Sequence, residues 1–206
     1  MLQTSARILM TFAVMGAGCA MGPSVPEQDQ NLPADGARET QPFSEPPDAP
    51  MPLPAGQRDT FVVDGGPLSL AQGTLELEVL HRQARDGGLD VRAAFVRTGL
   101  FGSDRREWAV RMDARGMHVD DRPFLPWSAS PGDRWDSQSG TAILEDFEDL
   151  RVPSGLARGT WRVRFTEPGL PDTRWWFAPG RGLVQAEFSA LGSTVVARHS
   201  RRQQLP

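Results

Sequence analysis

The chain has 206 residues, a formal net charge of −4 and a single cysteine. This length permits one domain or two small ones, and one cysteine excludes an internal disulfide. The acidic excess lies in residues 22–56, whereas residues 57–206 are neutral with both signs interspersed. A neutral domain of this kind gives no electrostatic reason to expect a nucleic-acid partner.

Residues 1–18 have the pattern of an export signal. The amino terminus and Arg7 supply positive charge, residues 8–15 (ILMTFAVM) are apolar, and small residues follow. The apolar run is too short to cross a membrane core, which needs roughly 20 residues. We predict a signal peptide over residues 1–18, with a buried strand or short helix of the mature domain as the alternative.

The signal ends in Gly16-Ala17-Gly18-Cys19. This motif resembles the bacterial lipoprotein signal, in which Leu, a small residue and Gly or Ala precede the cysteine; Gly16 stands where Leu is usual. The resemblance implies signal cleavage between Gly18 and Cys19, a diacylglyceryl group on the Cys19 thiol and acylation, for example by palmitate, of the new amino group. Two or more acyl chains hold a protein stably on a membrane.

On this resemblance, residues 19–21 form the lipid-anchored start of the mature protein. Ala20 stands where an Asp often retains lipoproteins in the inner membrane, which implies the periplasmic face of the outer membrane. The partner implied is therefore the membrane, reached through the lipid anchor. Ordinary secretion as a soluble protein is the alternative.

Residues 22–56 contain nine prolines among acidic and small residues. Such a segment has too few apolar side chains to offset its conformational entropy, so we predict a disordered linker. Its extended reach would approach ~100 Å at about 3.1 Å per residue, enough to space a domain from its anchor. A proline-rich peptide that docks on a partner is the alternative.

The pattern changes after residue 57. Apolar residues alternate with polar ones in TLELEVL, DVRAAFV, EWAVRMD and TWRVRF, and Gly or Pro turn signals separate these runs. We predict an all-β domain over residues 57–200, built as one twisted, mostly antiparallel sheet, half-barrel or sandwich of about eight to ten strands. Residues 201–206 are predicted to be a disordered tail.

Three sequence segments in the second half of the chain resemble exported bacterial β-sheet proteins of the TapB-like group. They are PGDRW (131–135), RVPSGLARGTWRVRF (151–165) and TRWWFAPGRGLVQAEF (173–188). The resemblance implies a twisted antiparallel sheet or half-barrel and no established catalytic residue. The segments themselves are turn and hairpin signals, which specify a shape and not a reaction.

No motif predicts a metal, a cofactor or catalysis. The histidines, His81, His118 and His199, lack zinc-ligand spacing. His118 precedes Asp120 and Asp121 and could form a His–Asp pair, but catalysis would also need a nucleophile. Ser154 lies on a turn without the pattern of a nucleophile elbow. We therefore expect no enzyme, no metal site and no cofactor.

The segment LEDFEDL carries Glu145, Asp146, Glu148 and Asp149. On a regular strand these acids divide between both faces, so they would not converge on calcium, which takes six to eight oxygens. We predict instead a cross-strand charge ladder with the outward arginines of TWRVRF.

Trp175 and Trp176 are adjacent on a predicted strand, so one faces the core and the other faces outward. If the outward ring is exposed beside Arg174 and Arg181, it would form a sugar or partner surface; if a loop covers it, both rings are structural. The function expected is therefore a lipid-anchored envelope protein that binds or scaffolds an envelope partner. Its alternatives are a carrier whose concave aromatic face holds a lipid or other apolar ligand, and a secreted enzyme.

Overall fold

One antiparallel sheet contains every strand of the described chain. The computed structural model describes residues 51–65, 73–85, 87–99, 102–119, 121–137, 140–190 and 192–205. The strands are β1 (Gln57–Asp64), β2 (Thr74–Arg85), β3 (Gly88–Gly99), β4 (Gly102–Asp113), β5 (Gly116–Val119), β6 (Arg122–Pro126), β7 (Arg134–Asp136), β8 (Thr141–Val152), β9 (Gly155–Thr166), β10 (Thr173–Ala178), β11 (Gly182–Ala190) and β12 (Ser193–Gln204). The predicted all-β class is confirmed, with twelve strands in these residues where about eight to ten were expected.

The strand order is β6-β5-β4-β3-β2-β1-β12-β11-β10-β9-β8-β7. Neighbours in the sheet are consecutive in sequence except β1 and β12, which pair the two ends of the domain. The edge strands β6 and β7 approach each other, since the Trp135 indole N–H of β7 donates to the Phe124 carbonyl of β6 at 3.3 Å. The sheet is therefore a barrel that is nearly closed.

The inner face of the sheet carries the main core. The predicted inward positions Leu75, Leu77 and Val79 of β2 are buried, and so are Val163 and Phe165 of β9. Side chains on a strand alternate between faces, so the apolar side chains of each run meet on the inside of the curled sheet. The period-two interpretation is thereby confirmed for these strands.

Aromatic rings fill the middle of this core around Phe124. Its ring centroid lies 5.2 to 6.2 Å from those of four other aromatic side chains, which come from both halves of the sheet: Trp108, Phe165, Trp175 and Phe177. Most of these pairs have the edge-to-face geometry that aromatic quadrupoles favour. The rings contact one another, and so they tie β4 and β6 to β9 and β10.

The domain begins earlier than the sequence indicates. Met51 and Leu53, which the sequence assigns to the disordered linker, are 0% and 1% exposed and lie in the main core. The Gly56 N–H donates to the Val79 carbonyl at 3.0 Å, and the Gly56 carbonyl accepts from the Leu205 N–H at 2.6 Å. Two apolar side chains in a proline-rich segment were too few to predict a core contact.

The domain also ends later than predicted. β12 continues to Gln204, which pairs with Gln57, so the predicted disordered tail over residues 201–206 is wrong for the strand residues. Backbone pairing with β1 holds this polar segment in place, although its side chains give no apolar alternation. In the described ranges, no helix has the length and apolarity to cross a membrane.

Replacement of Leu53 tests whether the entering segment is part of the core. We expect Leu53→Ala to lower the free energy of unfolding by about 2–5 kcal/mol, because the side chain is fully buried. Leu80→Ala is the matched control, since Leu80 is 38% exposed, and should change stability by less than ~1 kcal/mol. Urea denaturation followed by tryptophan fluorescence measures both; equal effects would place Leu53 outside the core.

Candidate functional site

The outer half of the β8–β9 hairpin folds over its own sheet. The pairing of β8 with β9 shifts between Leu144 and Asp146 and again between Glu148 and Leu150. Each shift leaves one strand with an extra residue, and such bulges bend a hairpin. The bent hairpin lays Leu150 and Ala157 against β10 and β11, apart from the main core.

A second, small core holds the hairpin tip down. It consists of buried side chains from both layers, with Leu150 packed against them: Ala157, Trp176, Ala178 and Val184. The Trp176 indole N–H donates to Glu148 Oε1 at 2.5 Å, which satisfies its polar atom under the hairpin. The position of the tip therefore depends on Trp176.

The expected tryptophan surface does not form. Trp175 is 5% exposed within the main core and Trp176 is 6% exposed beneath the hairpin. The interpretation in which a loop covers the outward ring is confirmed, and the one with an exposed ring is wrong. Arg174 contacts Glu145 and Glu187 at 3.2 and 3.5 Å, so it also belongs to the charged outer face of the sheet.

The folded tip brings Ser154 to β12, just beyond the last β11–β12 pair, Gln185 with Arg198. The Ser154 N–H donates to the His199 carbonyl at 3.2 Å, and Ser154 Oγ lies 2.6 Å from His199 Nδ1. On the other side of the imidazole, Nε2 lies 3.2 Å from Asp59 Oδ1. A hydroxyl, an imidazole and a carboxylate thus follow one another in hydrogen-bond contact, from three distant parts of the chain.

Asp59 is fully buried and accepts several hydrogen bonds. Arg202 donates to both carboxylate oxygens at 2.7 and 3.0 Å, and Gln57 donates to Oδ2 at 2.6 Å. Burial acts to raise the pKa of Asp59, but hydrogen bonds from His199 and Arg202 and their charges outweigh it, so the pKa is lowered. Asp59 is therefore ionised and accepts only.

An ionised Asp59 fixes the neutral tautomer of His199. Since the carboxylate has no proton to give, Nε2 carries the ring hydrogen and donates to Asp59. Nδ1 is then the acceptor, and the Ser154 hydroxyl donates to it across 2.6 Å. In this tautomer an imidazole can accept a proton from a serine.

Arg181 contacts the same hydroxyl from the β10–β11 turn. Pro179 and Gly180 occupy the turn centre, Gly180 has a positive φ of 68°, and the Arg181 N–H donates to the Ala178 carbonyl at 2.9 Å. This agrees with the type II turn that Pro-Gly favours. From there the Arg181 guanidinium donates to Ser154 Oγ at 2.8 Å and to the Leu156 carbonyl at 3.0 Å.

Sequence reasoning missed this constellation. Ser154 and His199 are 45 residues apart, and nothing local predicts that the β8–β9 tip folds over. One signal was present: the period-two run through Val195 and Ala197 places His199 on the inner face. A buried imidazole requires polar partners, so this position indicates a polar cluster within the sheet.

His118 is paired differently than expected. Its Nε2 lies 3.2 Å from Asp113 Oδ1, a residue of β4 across the turn, and the predicted neighbour Asp120 lies outside the described residues. Burial acts to raise the pKa of Asp113, but hydrogen bonds from Arg115 and the charge of His118 lower it to about 2. His81 is exposed on β2 and takes no part in either cluster.

The acids of LEDFEDL form the predicted charge ladder. Glu145 contacts Arg162, Arg164 and Arg174 at 3.1, 2.9 and 3.2 Å. Glu148 also contacts Arg162 at 3.2 Å, so the bulge in β8 brings it to the same side as Glu145, against the strict alternation expected. Among the described residues, no group of three or more His, Cys, Asp or Glu is arranged to hold a metal ion.

Comparison with known proteins adds little to this geometry. No protein-family model matches the chain, and no curated protein matches it. A protein from Bacteroides fragilis, described as exported and as having a YmcC-like fold, is similar over 74% of this chain and 98% of its own, with 13% identity and a TM-score of 0.48. A protein from Parabacteroides distasonis, described as a lipoprotein, is similar over 77% and 100%, with 10% identity and a TM-score of 0.46.

The lowered pKa of Asp113, about 2, predicts a pH-dependent contribution to stability. A depressed carboxyl pKa stabilises the folded state above its unfolded value and loses that effect as the pH falls through the folded value. At pH 7 we expect Asp113→Asn to cost about 2 kcal/mol of unfolding free energy. The difference from wild type should shrink between pH 4 and pH 2, as measured by urea denaturation.

Asp104→Asn is the control for this pH experiment. Asp104 forms an exposed ion pair with Arg106 at 3.4 Å and is 47% exposed, so its removal should cost below ~1 kcal/mol. A wild-type advantage over Asp113→Asn that stays constant down to pH 2 would contradict the assignment.

Removal of the Trp176 ring should release the hairpin tip. We expect Trp176→Ala to cost about 3–5 kcal/mol, as buried aromatic truncations do, and to speed amide hydrogen exchange in residues 150–158. Phe147→Ala on the same hairpin is the control, because Phe147 is 44% exposed. Unchanged exchange at the tip of the Trp176 variant would show that other contacts hold it.

Proposed function

We propose that the chain is a lipid-anchored protein of the bacterial cell envelope, in which a tether presents a β domain that binds or scaffolds an envelope partner. The observation that carries this proposal is the sequence Gly16-Ala17-Gly18-Cys19 after a basic start and a short apolar run. Cys19 lies outside the described residues, so the anchor stands on the sequence pattern and its likeness to the lipoprotein signal.

The place where the chain enters the domain is compatible with such a tether. Met51, the first residue that the structure describes, is already buried, and residues 20–50 lie between it and Cys19 in the sequence. That length spans on the order of 100 Å when extended in polyproline geometry. The domain would therefore stand clear of the membrane and reach partners in the surrounding envelope space.

The packed core favours a protein that binds a partner at its outer surface over one that carries an apolar ligand inside. A carrier needs an apolar cavity of a few hundred Å³. The aromatic rings expected to line it instead pack on one another, as Phe124 does with Phe165 at 5.2 Å and with Trp175 at 5.9 Å. A partner would then meet the polar outer face and the hairpin tip.

The membrane itself is assigned by the residue after the cysteine. Ala20 lacks the acidic side chain that often retains lipoproteins in the inner membrane, so we assign the periplasmic face of the outer membrane in a cell that has one. The residues that carry this assignment, Gly18, Cys19 and Ala20, all lie outside the described ranges.

Metabolic labelling tests the anchor. In cells given radioactive palmitate, the wild-type chain should incorporate label and fractionate with membranes, because its acyl chains hold it there. Cys19→Ser should lose both label and membrane association. Ser24→Ala, a nearby hydroxyl substitution, is the control and should behave as wild type. Equal labelling of wild type and Cys19→Ser, or no label in wild type, would reject the lipoprotein proposal.

A further inference from the structure

We propose that Ser154, His199 and Asp59 form an acyl-accepting site, in which Ser154 is a nucleophile toward carboxylic esters. This activity goes beyond the anchoring and binding role proposed above and does not depend on it. The three groups lie in sequential contact at 2.6 and 3.2 Å, the arrangement by which a base activates a serine and a carboxylate orients the base.

The hydrogen bonds give each group the orientation that the reaction requires. His199 directs Nδ1 at the Ser154 hydroxyl because its Nε2–H is committed to the Asp59 carboxylate. Either imidazole nitrogen serves as a base, so the orientation with Nδ1 toward serine is chemically equivalent to the reverse. Asp59 acts as a positioning residue: it is fully buried and touches only the ring and its own donors.

The partners of Asp59 set a limit on the strength of the base. Arg202 donates two hydrogen bonds to the carboxylate and so shares its charge with His199. The imidazolium that forms during attack is then stabilised less than it would be beside an unshared carboxylate. The expected chemistry is slow acylation of Ser154 and slow turnover of the acyl group.

Arg181 supplies a donor at the position where negative charge develops. Its guanidinium lies 2.8 Å from Ser154 Oγ, the atom that becomes bonded to the carbonyl carbon. The carbonyl oxygen of a bound ester would lie next to that atom, so the same cation would donate to the oxyanion. The Ser154 N–H is unavailable for this role, since it donates to the His199 carbonyl.

Ser154 is partly exposed. Its neighbours Pro153, Gly155 and Leu156 are exposed, and Leu156 keeps 44% of its surface accessible. A Cβ placed on Gly155 would meet nothing within 4 Å, so the space beside the turn is open. The Leu156 side chain offers an apolar contact for a short acyl chain, and the open side offers an exit for the alcohol.

The reaction consumes the ester and water and needs no other reagent. Ser154 Oγ bonds to the carbonyl carbon while its proton passes to His199 Nδ1. The tetrahedral oxyanion collapses, the bond to the alkoxide leaving group breaks, and His199 returns the proton to that group. Water then attacks the acyl-serine in the same way, releasing the carboxylic acid and restoring the hydroxyl.

Covalent labelling of the full-length chain in detergent tests the site. The probes are a fluorophosphonate, which traps activated serines, and p-nitrophenyl acetate as ester. We expect peptide mass spectrometry to find the adduct on Ser154, and Ser154→Ala to lose it. Ser103→Ala is the matched control and should label as wild type, because Ser103 is exposed on β4, outside the constellation.

The role of His199 separates catalysis from a merely structural contact. His199→Gln should slow labelling by ~100-fold or more, as loss of a general base does. Thermal melting of each variant shows whether it is folded. A folded wild type without an adduct on Ser154, or equal labelling rates with and without His199, would overturn the proposal.

Ser154→Cys provides a second, independent test of the site if another variant fails to fold. A thiol beside His199 should have a lowered pKa and react with iodoacetamide at pH 6 at least ~10-fold faster than a free thiol. Peptide mapping distinguishes the introduced thiol from Cys19 in any chain that has not been acylated. Reaction of the introduced thiol at the rate of a free thiol would show that His199 does not activate this position.

Discussion

The pairing of β1 with β12 is the interaction on which the rest of the structure depends. It joins residues about 140 positions apart, and closing so long a loop costs on the order of 4 kcal/mol of chain entropy. The eight residues of β1 recover this cost through backbone hydrogen bonds and through Phe61, which is fully buried. Because the first and last strands meet at the centre of the sheet, its edges fall on the short strands β6 and β7.

The same pairing builds the polar cluster. The register shifts between Thr60 and Phe61, which sets Asp59 opposite Arg202 and Phe61 opposite His199. The Phe61 and His199 rings then meet edge to face, with centroids 5.6 Å apart. In an unshifted ladder, strict alternation would place His199 and Arg202 on opposite faces of the sheet. One bulge therefore aims both side chains at the single buried carboxylate.

Sequence alone accounts for most of the sheet and little of the site. Alternation in TLELEVL and TWRVRF predicts the strands and their buried faces, since each residue's exposure depends on the period-two geometry of its own strand. The contact of Ser154 with His199 depends instead on two bulges in the β8–β9 hairpin and on Trp176 lying beneath it. Bulges have no sequence signature here, so the fold-over could not be predicted. The burial of Met51 and Leu53 could not be predicted for a similar reason, because it depends on where the curled sheet leaves space.

Stability alone does not require a buried carboxylate where β1 pairs with β12. Moving the Asp59 carboxylate out of water is costly, and its partner Arg202 keeps 34% of its side chain exposed. Ion pairs with a buried member are often no more stabilising than apolar residues of the same volume. The neighbouring layers of this strand pair are apolar, as Phe61 and Ala197 show, so an apolar solution was available at this depth. Between β1 and β12 the chain instead places a carboxylate bound by Arg202 and by an imidazole, and that imidazole and Arg181 contact one serine. A buried carboxylate of lowered pKa that leads through an imidazole to a partly exposed hydroxyl is an arrangement characteristic of sites selected for chemistry. This is the physical reason to test Ser154 as a reactive group and not only as a contact that holds the hairpin.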